Sequence, residues 1–139
     1  MKVLFIAPHL STGGMPAFLL KRIQALQQYN DNVEIFVVEW KMYSPTFVVQ
    51  RNQIQELLGD NFIPLHGNKE FQQNIIKICY DNNIDVVHIE EIPEGFDGHN
   101  PFPFEIQEQL YDSSHPWVVV ETCHNIYFNP NEQKKLEPN

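Results

Sequence analysis

The residues of this chain best placed to do chemistry begin with a glycine pair. Gly13 and Gly14 follow the run Pro8-His9-Leu10-Ser11-Thr12 and stand directly before Met15-Pro16, where a helical pattern opens. Two glycines at a helix entrance let backbone approach a ligand with no Cβ in the way, and the free N–H groups and dipole of the helix favour an anion such as phosphate. The same pair also serves as a bare strand-to-helix turn. Neither G-x-G-x-x-G nor G-x-x-x-x-G-K-[ST] occurs, which argues against a dinucleotide or P-loop site.

Further polar candidates lie later in the chain. His124, in Glu121-Thr122-Cys123-His124-Asn125, is suited to hydrogen-bonding a sugar hydroxyl or offsetting charge in a transition state. Glu90 and Glu91 could pair as acid and base, but adjacent strand residues point to opposite faces, so at most one addresses a given site. His88 reads as a mid-strand imidazole satisfied in the core. His66, His99 and His115 have no partner at metal-ligand spacing and read as surface residues. His9 after Pro8 resembles the Pro-His start of zinc-dependent sugar N-deacetylases. The continuation Leu10-Ser11-Thr12 lacks the carboxylates of that motif, and a catalytic zinc takes three protein ligands, so no metal is expected. Cys79 and Cys123 show no C-x-x-C spacing, so neither a zinc site nor a disulfide framework is indicated.

These residues need elements to hold them. Residues 2–7 form a short apolar run read as a buried strand. Met15, Phe18, Leu19, Ile23 and Leu26 then recur at helical spacing to about Tyr29, with Pro16 at an early position where a missing N–H is tolerated. The turn Asn30-Asp31-Asn32 leads to a strand over 33–38. Residues 40–45 are loop-like, 47–49 fit either a strand or a helix start, 50–58 look helical up to Gly59, and 62–65 read as a short strand. Phe71, Ile75, Ile78 and Cys79 mark a helix ending near 81–83; a strand follows over 85–89. Residues 91–103 carry three prolines and two glycines and read as a long loop, a helix follows from Phe104 to Tyr111, and 117–120 form another strand. Strands alternating with helices predict an α/β three-layer sandwich with a mainly parallel sheet, of Rossmann-like type. Ligands of such sheets bind outside the carboxyl ends of the strands, and the segments after Ala7, Ile89 and Val120 therefore share one rim.

Composition sets the wider bounds. With 139 residues, a hydrophobic fraction of 42% and 10 Phe, the chain suits a single domain, taken as residues 1–128, with 129–139 a tail lacking apolar period. No stretch approaches the ~20 apolar residues of a membrane span. The opening apolar run, stopped by Pro8, is too short for a secretory signal, so a cytoplasmic location is expected. A formal charge of -9 lacks the basic footprint of a nucleic-acid binder.

Residues 2–18 and 118–125 together resemble the amino-terminal domain of a GT-B glycosyltransferase of the retaining family 4 (group 1) type. The shared features are an apolar strand, a P-x-x-x-G-G-like loop with its helix (Pro8 to Phe18), and T-x-H after a later strand (Thr122-Cys123-His124). The resemblance implies the first half of a two-domain fold. Its donor is a nucleotide-diphosphate sugar, bound as a substrate with no tightly held cofactor, and its acceptor is a saccharide, lipid or protein. By the same resemblance Gly13, Gly14 and Met15 approach the donor, and His124 is the catalytic residue beside a transferred hexose-type sugar. His9, Glu90, Glu91 and Asn125 face the acceptor. Met15-Pro16-Ala17 lacks the Glu-Arg pair often found after the glycines, and the chain stops at Asn139, ahead of where a second domain with an E-x7-E motif would lie. The segment by itself is expected to be inactive or nearly so. No basic amphipathic helix supports association with a membrane. Two alternatives share the pattern: a stand-alone flavodoxin-like module binding an anion or a partner, and half of a UDP-sugar 2-epimerase.

Overall fold

The central strand β1 (Lys2–Ala7) is apolar on both faces because both are covered, as parallel sheets require. The computed structural model describes residues 1–40, 46, 48–65, 71–91 and 104–124. The remaining elements are α1 (Gly14–Tyr29), β2 (Glu34–Glu39), α2 (Val49–Leu58), β3 (Phe62–Pro64), α3 (Phe71–Asp81), β4 (Val86–Glu91), α4 (Phe104–Tyr111) and β5 (Val118–Cys123). Every strand pairing is parallel, and the five-stranded order is β3-β2-β1-β4-β5. This is a Rossmann-like α/β sheet whose strand order reverses between β1 and β4, the switch point at which such sheets open a crevice.

Alternation along the strands divides the core in two. Val3, Phe5, Ala7, Ile35 and Val37 pack with Met15, Leu19 and Ile23 of α1 and Ile54 of α2. On the other face Leu4, Ile6, Phe36, Val38, Val87 and Ile89 meet Ile75 and Cys79 of α3 and Leu110 and Tyr111 of α4. Burial pushes the Cys79 thiol up to about 12, so it is an inert packing residue. At the end of α3, Asn83 takes φ 53 while the Ile84 N–H bonds the Cys79 carbonyl and the Asn83 N–H bonds the Tyr80 carbonyl. This paired closure satisfies the last carbonyls and aims the chain back into β4.

Several strand boundaries differ from the sequence expectation. β4 and β5 run past their last apolar residues, with Glu90 paired to Thr122 and Glu91 to Cys123 in the ladder. Glu90 and Thr122 stay in the sheet because Arg22 of α1 reaches both. Of the two readings open before residue 50, the helix start holds, at Val49. His115 lies at the surface, partly buried, and it has partners there: its ring stacks on Trp117 at 4.2 Å and its Nδ1 meets the Tyr80 hydroxyl at 2.5 Å. Those partners come from separate elements, which local pattern does not link. The loop over 92–103, Asn125 and the tail over 129–139 lie outside the described residues.

Candidate functional site

The loop after β1 and the entrance of α1 form one side of the site. Pro8, Leu10 and Ser11 are buried and anchor the loop, whereas Thr12, Gly13 and Gly14 are exposed. The Leu10 N–H donates to Glu39 Oε2 at 2.6 Å, and Arg51 Nε of α2 donates to Glu39 Oε1 at 2.7 Å. The fully buried Glu39 carboxylate at the end of β2 thus ties loop, strand and α2 together. Gly13 is the N-cap of α1, and no side chain caps the first turn. The third helical residue, Pro16, has no N–H to leave unsatisfied. Met15 turns its side chain into the core, so only its backbone can face the mouth. His9, within this loop, is partly buried, and burial lowers its imidazole to about 4.

The other side is a polar cluster on the α1 face of the sheet. In register, Phe5 lies beside His88 and Ile6 beside Ile89, while His88 pairs with Val120 and Glu90 with Thr122. His88, Glu90 and Thr122 therefore share one face, with Glu90 and Thr122 at the carboxyl rim. Arg22, two turns into α1, reaches down onto them. Its Nη1 donates to Glu90 Oε1 at 2.5 Å and to His88 Nε2 at 3.0 Å, and its Nη2 lies 3.4 Å from Thr122 Oγ1. The second Glu90 oxygen lies 2.5 Å from His124 Nε2, and Thr122 Oγ1 is 2.6 Å from His88 Nε2. The Glu90 side chain is 0% exposed. A carboxylate so enclosed persists only when charge and hydrogen bonds offset its lost hydration, and Arg22 and His124 supply both. Phe18 covers the cluster, with the Arg22 guanidinium 4.4 Å from its ring centroid and the His124 ring edge-on at 5.3 Å. Burial, then the Arg22 charge, then His124 lower His88 to about 4, so His88 is neutral at pH 7.

The structure thus brings Gly13, Gly14, Glu90 and His124 to one rim, with His9 in the loop between β1 and α1. Glu91 closes β4, but its side chain, like the whole of Asn125, lies outside the described residues. Glu90 has both oxygens engaged within the protein, which makes it a support for His124 more than a group for direct ligand contact. Arg22, Glu39 and Arg51 escaped the sequence reading. A signal existed for Arg22, which stands three residues after Leu19 and seven after Met15, on the apolar stripe of its helix. Glu39 likewise continues the alternation Ile35, Val37 into the core. Among the described residues no group of three His, Cys, Asp or Glu side chains is arranged to hold a metal ion, and no helix is long and apolar enough to cross a membrane. Compared with protein-family models, curated proteins and solved structures, the chain matches none of them.

Proposed function

We propose that this chain is the acceptor-side, amino-terminal domain of a cytoplasmic glycosyltransferase that moves a hexose-type sugar from a nucleotide-diphosphate donor to an acceptor. The observation that carries this reading is a pair of glycines the fold itself does not demand. Gly13 has φ 165, extended backbone open to any residue. A Cβ at Gly13 would meet only Pro16 at 3.8 Å, and one at Gly14 would meet nothing within 4 Å. Side chains are therefore tolerated there sterically, and their absence makes sense as room for something that must come close. A helix entrance with unpaired N–H groups suits the donor's diphosphate. His124, across the β1–β4 crevice, suits the sugar.

In this reading the bond between sugar and diphosphate breaks as an acceptor hydroxyl oxygen attacks the sugar carbon, and the hydroxyl proton passes to the leaving diphosphate. The α1 entrance offsets part of the charge that develops on the leaving diphosphate. The rest of that charge needs groups from a second domain, so turnover is a property of the two-domain enzyme. Direct support for a hydroxyl-bearing ligand comes from the imidazole at the rim, held by Glu90 and flanked by the exposed Phe18 ring.

The test is calorimetric titration of a panel of nucleotide sugars onto the full-length protein, beside Gly14→Val and His124→Ala. Gly14→Val is expected to weaken donor binding at least tenfold with the melting temperature unchanged. His124→Ala leaves the buried Glu90 Oε2 without its partner, a stability loss of about 1–3 kcal/mol, and is expected to depress turnover beyond what that loss explains. Absence of binding to every nucleotide sugar, or activity that merely tracks stability in both variants, overturns the proposal.

A further inference from the structure

We infer that Arg22 and Glu90 are positioning residues that lock His88 and His124 into opposite tautomers, so that His124 presents Nδ1 to a ligand as a hydrogen-bond acceptor. The inference deepens the glycosyltransferase reading and rests on it for the ligand, while the tautomers rest on geometry alone. A guanidinium has only donors. With Arg22 Nη1 at 3.0 Å, His88 Nε2 must carry the lone pair, and the His88 proton sits on Nδ1. The Thr122 hydroxyl, 2.6 Å away, donates to the same nitrogen, while its oxygen accepts from Arg22 Nη2 at 3.4 Å. Every proton in this triangle has a place.

Glu90 imposes the reverse on His124. A carboxylate paired with a guanidinium only accepts, so the 2.5 Å contact to Oε2 puts the His124 proton on Nε2. The opposite carboxylate oxygen is taken by Arg22, which prevents Glu90 from turning away. Among the described residues no group bonds His124 Nδ1. With a single proton on the ring, that nitrogen keeps an in-plane lone pair beside the rim, in the arrangement by which an acid behind an imidazole selects its working nitrogen. A lone pair accepts from a hydroxyl and repels a phosphate oxygen. The two sides of the crevice therefore divide the donor: phosphate at the glycine entrance, a sugar hydroxyl at His124.

Long-range 1H–15N correlation spectra of the full chain at pH 7 test this. In the wild-type protein His88 is expected to show a protonated Nδ1, the less common form of free imidazole, and His124 a protonated Nε2. Arg22→Met should return His88 toward the solution mixture, and Glu90→Gln should do so for His124. These signatures would not move if the two residues merely filled space. A wild-type His88 protonated on Nε2, or a His124 protonated on Nδ1, overturns the inference, even if both variants fail to fold. In the ligand arm, UDP-glucose should shift the His124 Nδ1 resonance and UDP alone should not. Equal shifts from UDP overturn the hydroxyl assignment. Absence of binding by UDP-glucose and by every other nucleotide sugar of the panel overturns the glycosyltransferase reading and that assignment with it, while the ligand-free spectra still decide the tautomers.

Discussion

Arg22 is the residue on which the site's electrostatics turn. Its guanidinium, 24% exposed, neutralises a carboxylate with no exposure at all. Breaking a buried pair from one side strands the other charge, at a cost of roughly 3–5 kcal/mol. Arg22→Met is therefore expected to lower unfolding free energy by about 3 kcal/mol, and Glu90→Leu added to it should recover part of the loss; urea unfolding of the two variants checks both. His88 supplies a second prediction. Its folded value of about 4 lies below the ordinary 6.5, so between those values the unfolded chain takes up a proton that the folded chain refuses. Stability from this source is complete above pH 6.5 and is lost as pH falls toward 4. At pH 5 the loss is roughly 2 kcal/mol, and His88→Gln should flatten the dependence of the urea midpoint on pH over that window. His9, also lowered to about 4 by burial, adds a parallel loss that this variant leaves in place. His124 was legible as a candidate from its rim position, but its tether to Glu90 was not, because the partners lie 34 positions apart.

At the scale of elements, α1 carries the site: its first turn forms the glycine entrance, and two turns on it delivers Arg22 onto β4 and β5. The apolar spacing of Met15, Leu19 and Ile23 announced the helix, and the core contacts of those residues fix which face meets the sheet. Strand ends were harder to read. Local pattern ended β4 at Ile89 and β5 at Val120, since polar residues conventionally leave a buried strand; the ladder continues to Glu91 and Cys123 because Arg22 descends from a different element to satisfy Glu90 and Thr122. The closure of α3 yields a prediction of its own. Asn83 holds φ 53, which a β-carbon resists and glycine does not. Asn83→Gly should leave stability within ~0.5 kcal/mol or raise it, whereas Asn83→Ala should cost about 1 kcal/mol by thermal or urea unfolding.

For the whole molecule, the sheet arranges two buried carboxylates around β1. Glu39 of β2 pairs in register with Ala7, and Glu90 of β4 follows the Ile6–Ile89 pair on the other side. Each takes an arginine from the helix above it, Arg51 from α2 and Arg22 from α1. One pair fixes the loop that leads to the glycines and the other fixes the imidazole opposite. A chain of net charge -9 can in this way offer an anion a local welcome that its overall charge would not suggest. The amino-acid sequence alone determined the alternation of strands and helices, the parallel sheet and the rim to which Gly13, Gly14, Glu90 and His124 belong, because those follow from apolar period and turn residues within short windows. Only the tertiary structure decided that Glu90 is enclosed, that Arg22 holds it, and which nitrogen of each histidine is committed. Ion pairs and tautomers depend on side chains brought together from α1, β4 and β5, and no local spacing encodes that meeting.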